Sequence, residues 1–239
     1  LDGIDGRDPA IARAWRGGVT TVQILPGSGN TIGGQGQVLK LRGGLADEMV
    51  FKDAPRGMKM AVGENPKRVY GSKGKMPSTR MGAAAVMREA LGRARDWLAQ
   101  LAYWASGPMK TAAPDADLMT RALAEVLAGR MRVHVHGYLP HDYLMIFRVA
   151  DEFGFRIASL QHALEGFRIT KEIAARGLGV ATFADQWGYK HEMYGARPDN
   201  AAILARAGIK VAIMSDHPVI EQRWLAFEAA KAVRAGLPQ

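Results

Sequence analysis

Hydrophobic residues along this chain fall into short apolar runs that alternate with longer stretches of helical spacing. Asp8-Pro9 has the form of a helix cap with proline at the first helical position, so Ala10–Trp15 is expected as a short helix ended by Gly17-Gly18. The β-branched run Val19–Leu25 predicts a buried strand, Pro26–Gly44 a long glycine-rich loop, and Met58–Val62 a second strand. Gly63–Pro77 reads as a polar loop. Ser78 or Thr79 then caps a long helix to about Trp104, stopped by Gly107-Pro108, and Asp115–Leu127 is a further helix. From there the pattern becomes regular. Arg132–Val135, Phe155–Leu160, Leu178–Phe183 and Lys210–Met214 predict strands. Asp142–Phe153, Gly166–Arg176, Asn200–Ala207 and Val219–Arg234 predict helices, closed by Gly154, Gly177, Gly208 and Gly236.

Short apolar strands between amphipathic helices give βα units and a parallel sheet, either a barrel or an open doubly wound sheet. The open sheet with a dinucleotide would want G-x-G-x-x-G after its first strand. Gly27-Ser28-Gly29-Asn30-Thr31-Ile32 lacks the third glycine, and Gly33-Gly34-Gln35-Gly36 is no better. Neither ends in the Lys-Ser/Thr of a phosphate loop.

Composition narrows the chemistry. The 239 residues suit one or two domains. The absence of cysteine excludes disulfide frameworks, thiolate metal sites and cysteine nucleophiles; it fits a reducing compartment, so a cytoplasmic location is expected. The 32 basic and 23 acidic residues leave a net charge of +9, which raises nucleic acid as a partner. The densest basic run is only Lys67-Arg68 with Lys73 and Lys75, and no nucleic-acid-binding signature accompanies it, so no specific nucleic acid is expected. Apolar runs such as Val211–Met214 are far too short to cross a bilayer, and no membrane partner is expected.

The placement of histidine and aspartate carries the chemical information. Val133-His134-Val135-His136 puts two imidazoles on one face of a strand, because strand side chains alternate. The next strand ends at Gln161-His162 and the last at Ser215-Asp216-His217-Pro218. In a barrel of parallel strands these C-terminal ends converge on one face. Neutral imidazoles and a carboxylate suit zinc or a similar divalent ion. Glu64, just past another strand end, is open to three readings: metal ligand, substrate clamp or solvated loop residue. The long segment Asp185–Asn200, with Trp187, Tyr189, Lys190, His191, Tyr194 and Arg197, is expected to be a lid. Lys67, Arg68 and Tyr70 could clamp an acidic group of a substrate.

These segments resemble the amidohydrolase superfamily, in its imidazolonepropionase-like branch. The matching pieces are Gly17–Val22, Gly33–Gly36, Gly63-Glu64-Asn65-Pro66-Lys67-Arg68-Val69-Tyr70-Gly71, Val133–His136, His162 with Glu165-Gly166, and Ser215–Pro218. The resemblance implies a metal-dependent (β/α)₈ TIM barrel occupying residues 1–239 as a single partial domain. It matches His134 to the ligand of the fifth strand, His162 to that of the sixth, Asp216 to the aspartate of the eighth, and Glu64 to a carboxylate ligand found in some members. The metal would be zinc, with iron or manganese as alternatives. Asp216 would carry the water proton, and His162 or His136 would steady the oxyanion. Arg68, Tyr70, Trp187, Tyr189 and His217 are the candidate substrate contacts.

One departure stands out: the H-x-H that this family carries on its first strand has no counterpart before Gly17. Six barrel strands are expected, centred near Val22, Met60, Val133, Ala158, Val180 and Ala212, so the chain is expected to be an incomplete barrel from a longer enzyme. The expected activity is hydrolysis of non-peptide C–N bonds in a small amide or cyclic amide. The alternatives are a prolidase-like dipeptidase, a catalytically inert fragment and a basic nucleic-acid binder. Open sheet edges would favour a homo-oligomer.

Overall fold

The computed structural model describes residues 1–107 and 112–238. Helix α1 spans Pro9–Arg16, and the Asp8 carboxylate accepts the Ala10 N–H at 2.7 Å, the cap that the Asp-Pro pair predicts. Strands β1 (Thr21–Ile24) and β2 (Ile32–Lys40) follow, then the one-turn helix α2 (Ala46–Met49) and strand β3 (Gly57–Ala61). The segment expected as a loop over Pro26–Gly44 therefore holds a nine-residue strand. Its glycines hide it, but β2 is bonded on both sides, antiparallel to β1 and to β3, and the ladder supplies what side-chain propensity does not.

The polar stretch after β3 also holds an element. Helix α3 spans Glu64–Gly71, with Pro66 in its first turn where no amide hydrogen is needed. Helix α4 runs Arg80–Ser106, about 40 Å at helical rise, with Thr79 Oγ1 accepting the Gly82 N–H at 2.9 Å. Only its first half is buried, through Ala83, Met87, Ala90, Leu91 and Ala94. Pro108, expected to help stop this helix, lies outside the described residues. Helix α5 is Leu118–Leu127, capped by Asp117 rather than starting at Asp115.

Four βα units complete the chain: β4 (Arg132–Gly137) and α6 (Pro140–Phe153), β5 (Ile157–His162) and α7 (Thr170–Ala175), β6 (Gly179–Thr182) and α8 (Asn200–Arg206), β7 (Val211–Ile213) and α9 (Leu225–Arg234). The sheet order is β1-β2-β3-β4-β5-β6-β7. Each crossover moves one strand in the same direction, which curls the sheet into a half barrel and excludes a doubly wound arrangement. Strands β3 to β7 are joined as successive parallel pairs, and β1, antiparallel to β2 as β2 is to β3, runs in the same sense. The six strands expected near Val22, Met60, Val133, Ala158, Val180 and Ala212 therefore all run in one direction, and the strand that the expectation missed is β2, which runs against them between β1 and β3.

The outer face of the sheet makes the core. Met58, Met60, Val133, Val135, Leu160 and Val180 pack with Met87, Leu91, Leu123, Ile146, Phe147 and Leu204 from the covering helices in one apolar cluster. Each fully buried side chain of this kind contributes about 1.5–3 kcal/mol of transfer free energy. The opposite parity faces inward: Lys59, His134, His136, Ser159 and Gln161. A register shift between the Val133–Ile157 and His134–Ser159 pairs lets Ile157 join the core while Ser159 turns inward. Among the described residues, no helix is long and apolar enough to cross a membrane.

Candidate functional site

The inner face encloses a cleft of about 1170 Å³. His134, His136, His162, Asp216 and His217 line it, as do Lys59 and Gln23. Among the described residues, Glu64, Arg68, Tyr70, Trp187 and Tyr189 do not line it. Glu64 opens α3, where its backbone N–H lies beside the Glu192 carboxylate. Arg68 is exposed on α3, and the Tyr70 hydroxyl donates to Asn30 Oδ1. Trp187 donates its indole N–H to the Tyr194 carbonyl at 2.9 Å on the outside of its loop.

The two histidines of β4 have different surroundings. His134 is engaged at both ring nitrogens, with Gln23 Nε2 at 3.0 Å from Nε2 and Ser159 Oγ at 2.7 Å from Nδ1. The Gln23 amide can only donate, so Nε2 accepts and the ring hydrogen sits on Nδ1. Burial, reinforced by Lys59 and Arg132, pushes its pKa down to about 4. His134 lies across β3 at Gly57, where a Cβ would come within 3.0 Å of the ring. His136, two residues on, meets His162 instead: their ring centroids are 4.5 Å apart, edge to face. Both rings are buried and held well below the ordinary histidine pKa, first by desolvation and then by nearby positive charge, Lys59 and Lys190 included. The Nδ1 atoms of both are buried with no hydrogen-bond partner.

Backbone strain collects at the same place. Among the described residues, the non-glycine positions with positive φ are His162 (73°), Ala163 (42°) and Asp216 (45°). Such conformations cost about 1–3 kcal/mol each and persist only where the surroundings hold them. Tyr143, fully buried on α6, does so for the β5 end: its hydroxyl lies 2.5 Å from the Gly137 carbonyl and 2.7 Å from the Gln161 carbonyl, and accepts the Ala163 N–H at 3.1 Å. Asn200 holds the same turn from α8 by donating to the Ala163 carbonyl at 3.1 Å.

Asp216 opens onto the cleft, yet the walls around it desolvate the carboxyl and raise its pKa, while Lys59 and Lys190 pull it back. Lys59 is a buried amine whose Nζ donates to the Pro26 carbonyl at 3.2 Å, and burial lowers its pKa. The sequence reading passed over Lys59, although a lysine between Met58 and Met60 at the centre of an apolar strand is itself a signal of an inward polar position.

The segment expected as a lid is seated by two anchors. Met193 packs with Tyr138, Leu164 and Phe183 in a small apolar cluster. Glu192 is buried and pairs with Arg80, which also reaches Asp142 at 3.1 Å. Gly63 passes over this pair with φ +82°, and a Cβ there would come within 3.0 Å of both carboxylates. Just ahead of both anchors, the Lys190 ammonium lies 4.3 Å over the Tyr138 ring and donates to Asn65 Oδ1 at 3.2 Å. Tyr189 hydrogen-bonds Tyr138.

Among the described residues, no three His, Asp or Glu side chains converge into a complete metal-holding group. The donor set is nevertheless suitable as part of one: two adjacent neutral imidazoles with unpartnered ring nitrogens, and a carboxylate across the cleft.

No family model matches the chain. It is 35% identical, over all of its own length, to the amidohydrolase tasK of Hapsidospora irregularis. It is 37% identical to an amidohydrolase of Thermotoga maritima whose crystal structure superposes with a TM-score of 0.93 over the whole of this chain. The chain spans 26% of the length of the first and 61% of the second. The half-barrel thus matches an incomplete barrel of amidohydrolase type, and the likeness in both sequence and structure supports an amidohydrolase family for this chain.

Proposed function

We propose that this chain carries the catalytic face of a metal-dependent hydrolase of amide or cyclic-amide C–N bonds, close to the imidazolonepropionase-like branch. The observation that carries the reading is the pair His136 and His162: neutral, buried, 4.5 Å apart at adjacent parallel strand ends, each with an unpartnered Nδ1. These two imidazoles and Asp216 are the residues that would hold a divalent ion, zinc by the nature of the donors, with iron or manganese as alternatives. Such an ion lowers the pKa of a bound water to ~7 and polarises a carbonyl.

The chain's own residues then divide the work. Asp216 takes a proton from the attacking water at its carboxylate and returns it to the leaving nitrogen, a role its raised pKa assists. Lys59 keeps that carboxyl ionisable against its desolvation, joined by Lys190 while the lid is seated. His134, saturated by Gln23 and Ser159, holds the cleft wall and takes no part as a ligand. Before an ion is bound, the seated lid shields the strand ends from water.

Titration with Zn²⁺, followed by calorimetry and metal analysis, tests this. Near-stoichiometric binding is expected, weakened about tenfold or more in His162→Ala and Asp216→Ala and little changed in His134→Gln. A protein that takes up no zinc, iron or manganese defeats the reading.

A further inference from the structure

The hydrogen bonds that join the lid to His136 impose a rule of donors and acceptors. Lys190 Nζ has only hydrogens to offer, so the Asn65 atom facing it at 3.2 Å is the carbonyl oxygen. The Asn65 amide nitrogen is thereby turned to Ser28 Oγ at 2.7 Å and to His136 Nε2 at 3.2 Å. An amide nitrogen has no lone pair to give, so Nε2 of this neutral ring is the acceptor and Nδ1 carries the hydrogen. That hydrogen points to no partner.

An ion on Nδ1 needs the lone pair there, which moves the ring hydrogen to Nε2 and sets it against the Asn65 amide. Turning the carboxamide over relieves that clash but sets the same amide against the Lys190 ammonium. Ser28 imposes no constraint, because a hydroxyl both donates and accepts. Either a donor faces a donor somewhere along the chain, or Lys190 leaves.

We propose that seating of the Lys190 loop and ion binding at His136 are antagonistic, coupled through the Asn65 carboxamide. The inference rests on the reading that His136 holds a divalent ion. The loop seats fully in the ion-free protein and releases Lys190 when the ion arrives, and by reciprocity the seated loop weakens the ion. Lys190 and Asn65 are positioning residues here, acting on His136 and not on substrate.

Calorimetric titration of the whole chain with Zn²⁺ tests the coupling. Asn65→Leu and Lys190→Met are each expected to bind about tenfold more tightly than wild type, the weight of one donor left facing a donor. Asn65→Leu leaves every charge in place, so its tightening cannot come from removing a cation. If Lys190→Met tightens and Asn65→Leu does not, charge alone is responsible and the coupling is overturned. A long-range ¹H–¹⁵N spectrum of the ion-free protein supplies the second measurement: wild-type His136 should show Nδ1–H, and Nε2–H would overturn the hydrogen-bond rule. Zinc bound without any change in the variants defeats the coupling alone; no zinc bound by any form defeats the reading beneath it.

Discussion

Arg80→Met should lower the stability of the chain by about 3 kcal/mol at pH 7. Arg80 is the cation between two carboxylates that are each 2% exposed, reaching Asp142 at 3.1 and 3.3 Å and Glu192 through its other nitrogen. Removing one member of a buried ion group leaves uncompensated charge, typically about 3–5 kcal/mol. The lower end applies because the Arg80 side chain is 34% exposed and water can enter behind it.

The pH dependence has a definite sign. Burial, with Asp142 adding to it, raises the Glu192 carboxyl above its ordinary 4.5, against the pull of the Glu64 N–H and Arg80. A carboxyl raised in the folded state contributes stability below its unfolded pKa and loses it as pH rises through the folded value. Without Arg80 the folded value rises further, so the deficit of the variant should be largest at pH 7 and shrink towards pH 4.5. Urea midpoints across that range measure it; equal midpoints at pH 7 would show that the triad pins nothing. The lid should loosen together with its anchor. Trypsin cleavage at Lys190 should therefore quicken in Arg80→Met, and Glu192→Gln with Asp142→Asn in the same chain should restore most of the stability.

Tyr143→Phe is the second large effect, about 2 kcal/mol. One hydroxyl serves the Gly137 and Gln161 carbonyls and the Ala163 N–H inside the core, and the phenyl ring would leave the two buried carbonyls with only their longer bonds from the Ala163 N–H, a loss of about 1–3 kcal/mol. Those groups flank His162 and Ala163, the two strained residues of the β5 end. The variant should therefore lose Zn²⁺ affinity as well as stability, although Tyr143 touches no candidate ligand. Thermal unfolding and a zinc titration check the two parts. Full stability in Tyr143→Phe would mean that the turn is held by Asn200, the backbone bonds of the Ala163 N–H and packing alone.

Much of the scaffold was legible because its signals are local. The Asp8 and Thr79 caps and the left-handed glycines Gly154, Gly177 and Gly208 act on residues within a turn of themselves, and each marks the helix boundary it predicts to within a residue or two. What failed was non-local. Strand β2 has no apolar alternation to announce it; it exists because β1 and β3 offer backbone partners on both sides. Helix α3 follows a glycine and carries a proline, and it is seated by the buried pair Asp142 and Glu192 beneath Gly63.

The candidate site divides in the same way. Alternation along β4 put His134 and His136 on one inward face, and the strand-end positions of His162 and Asp216 put them at one end of the sheet; the sequence by itself determined that much, since strand parity is a property of the backbone. Parity could not separate the two histidines of β4. They stand two residues apart, about 6.6 Å along the strand. That step decides whether a ring meets Gln23 and Ser159 or meets His162 and Asn65. The outcome depends on the register of β4 against β5, bulge included, and on elements far away in sequence: β1 brings Gln23 and the lid brings Lys190. Local chemistry therefore chose which side chains face the cleft, and only the tertiary structure chose which of their nitrogens were left without a partner.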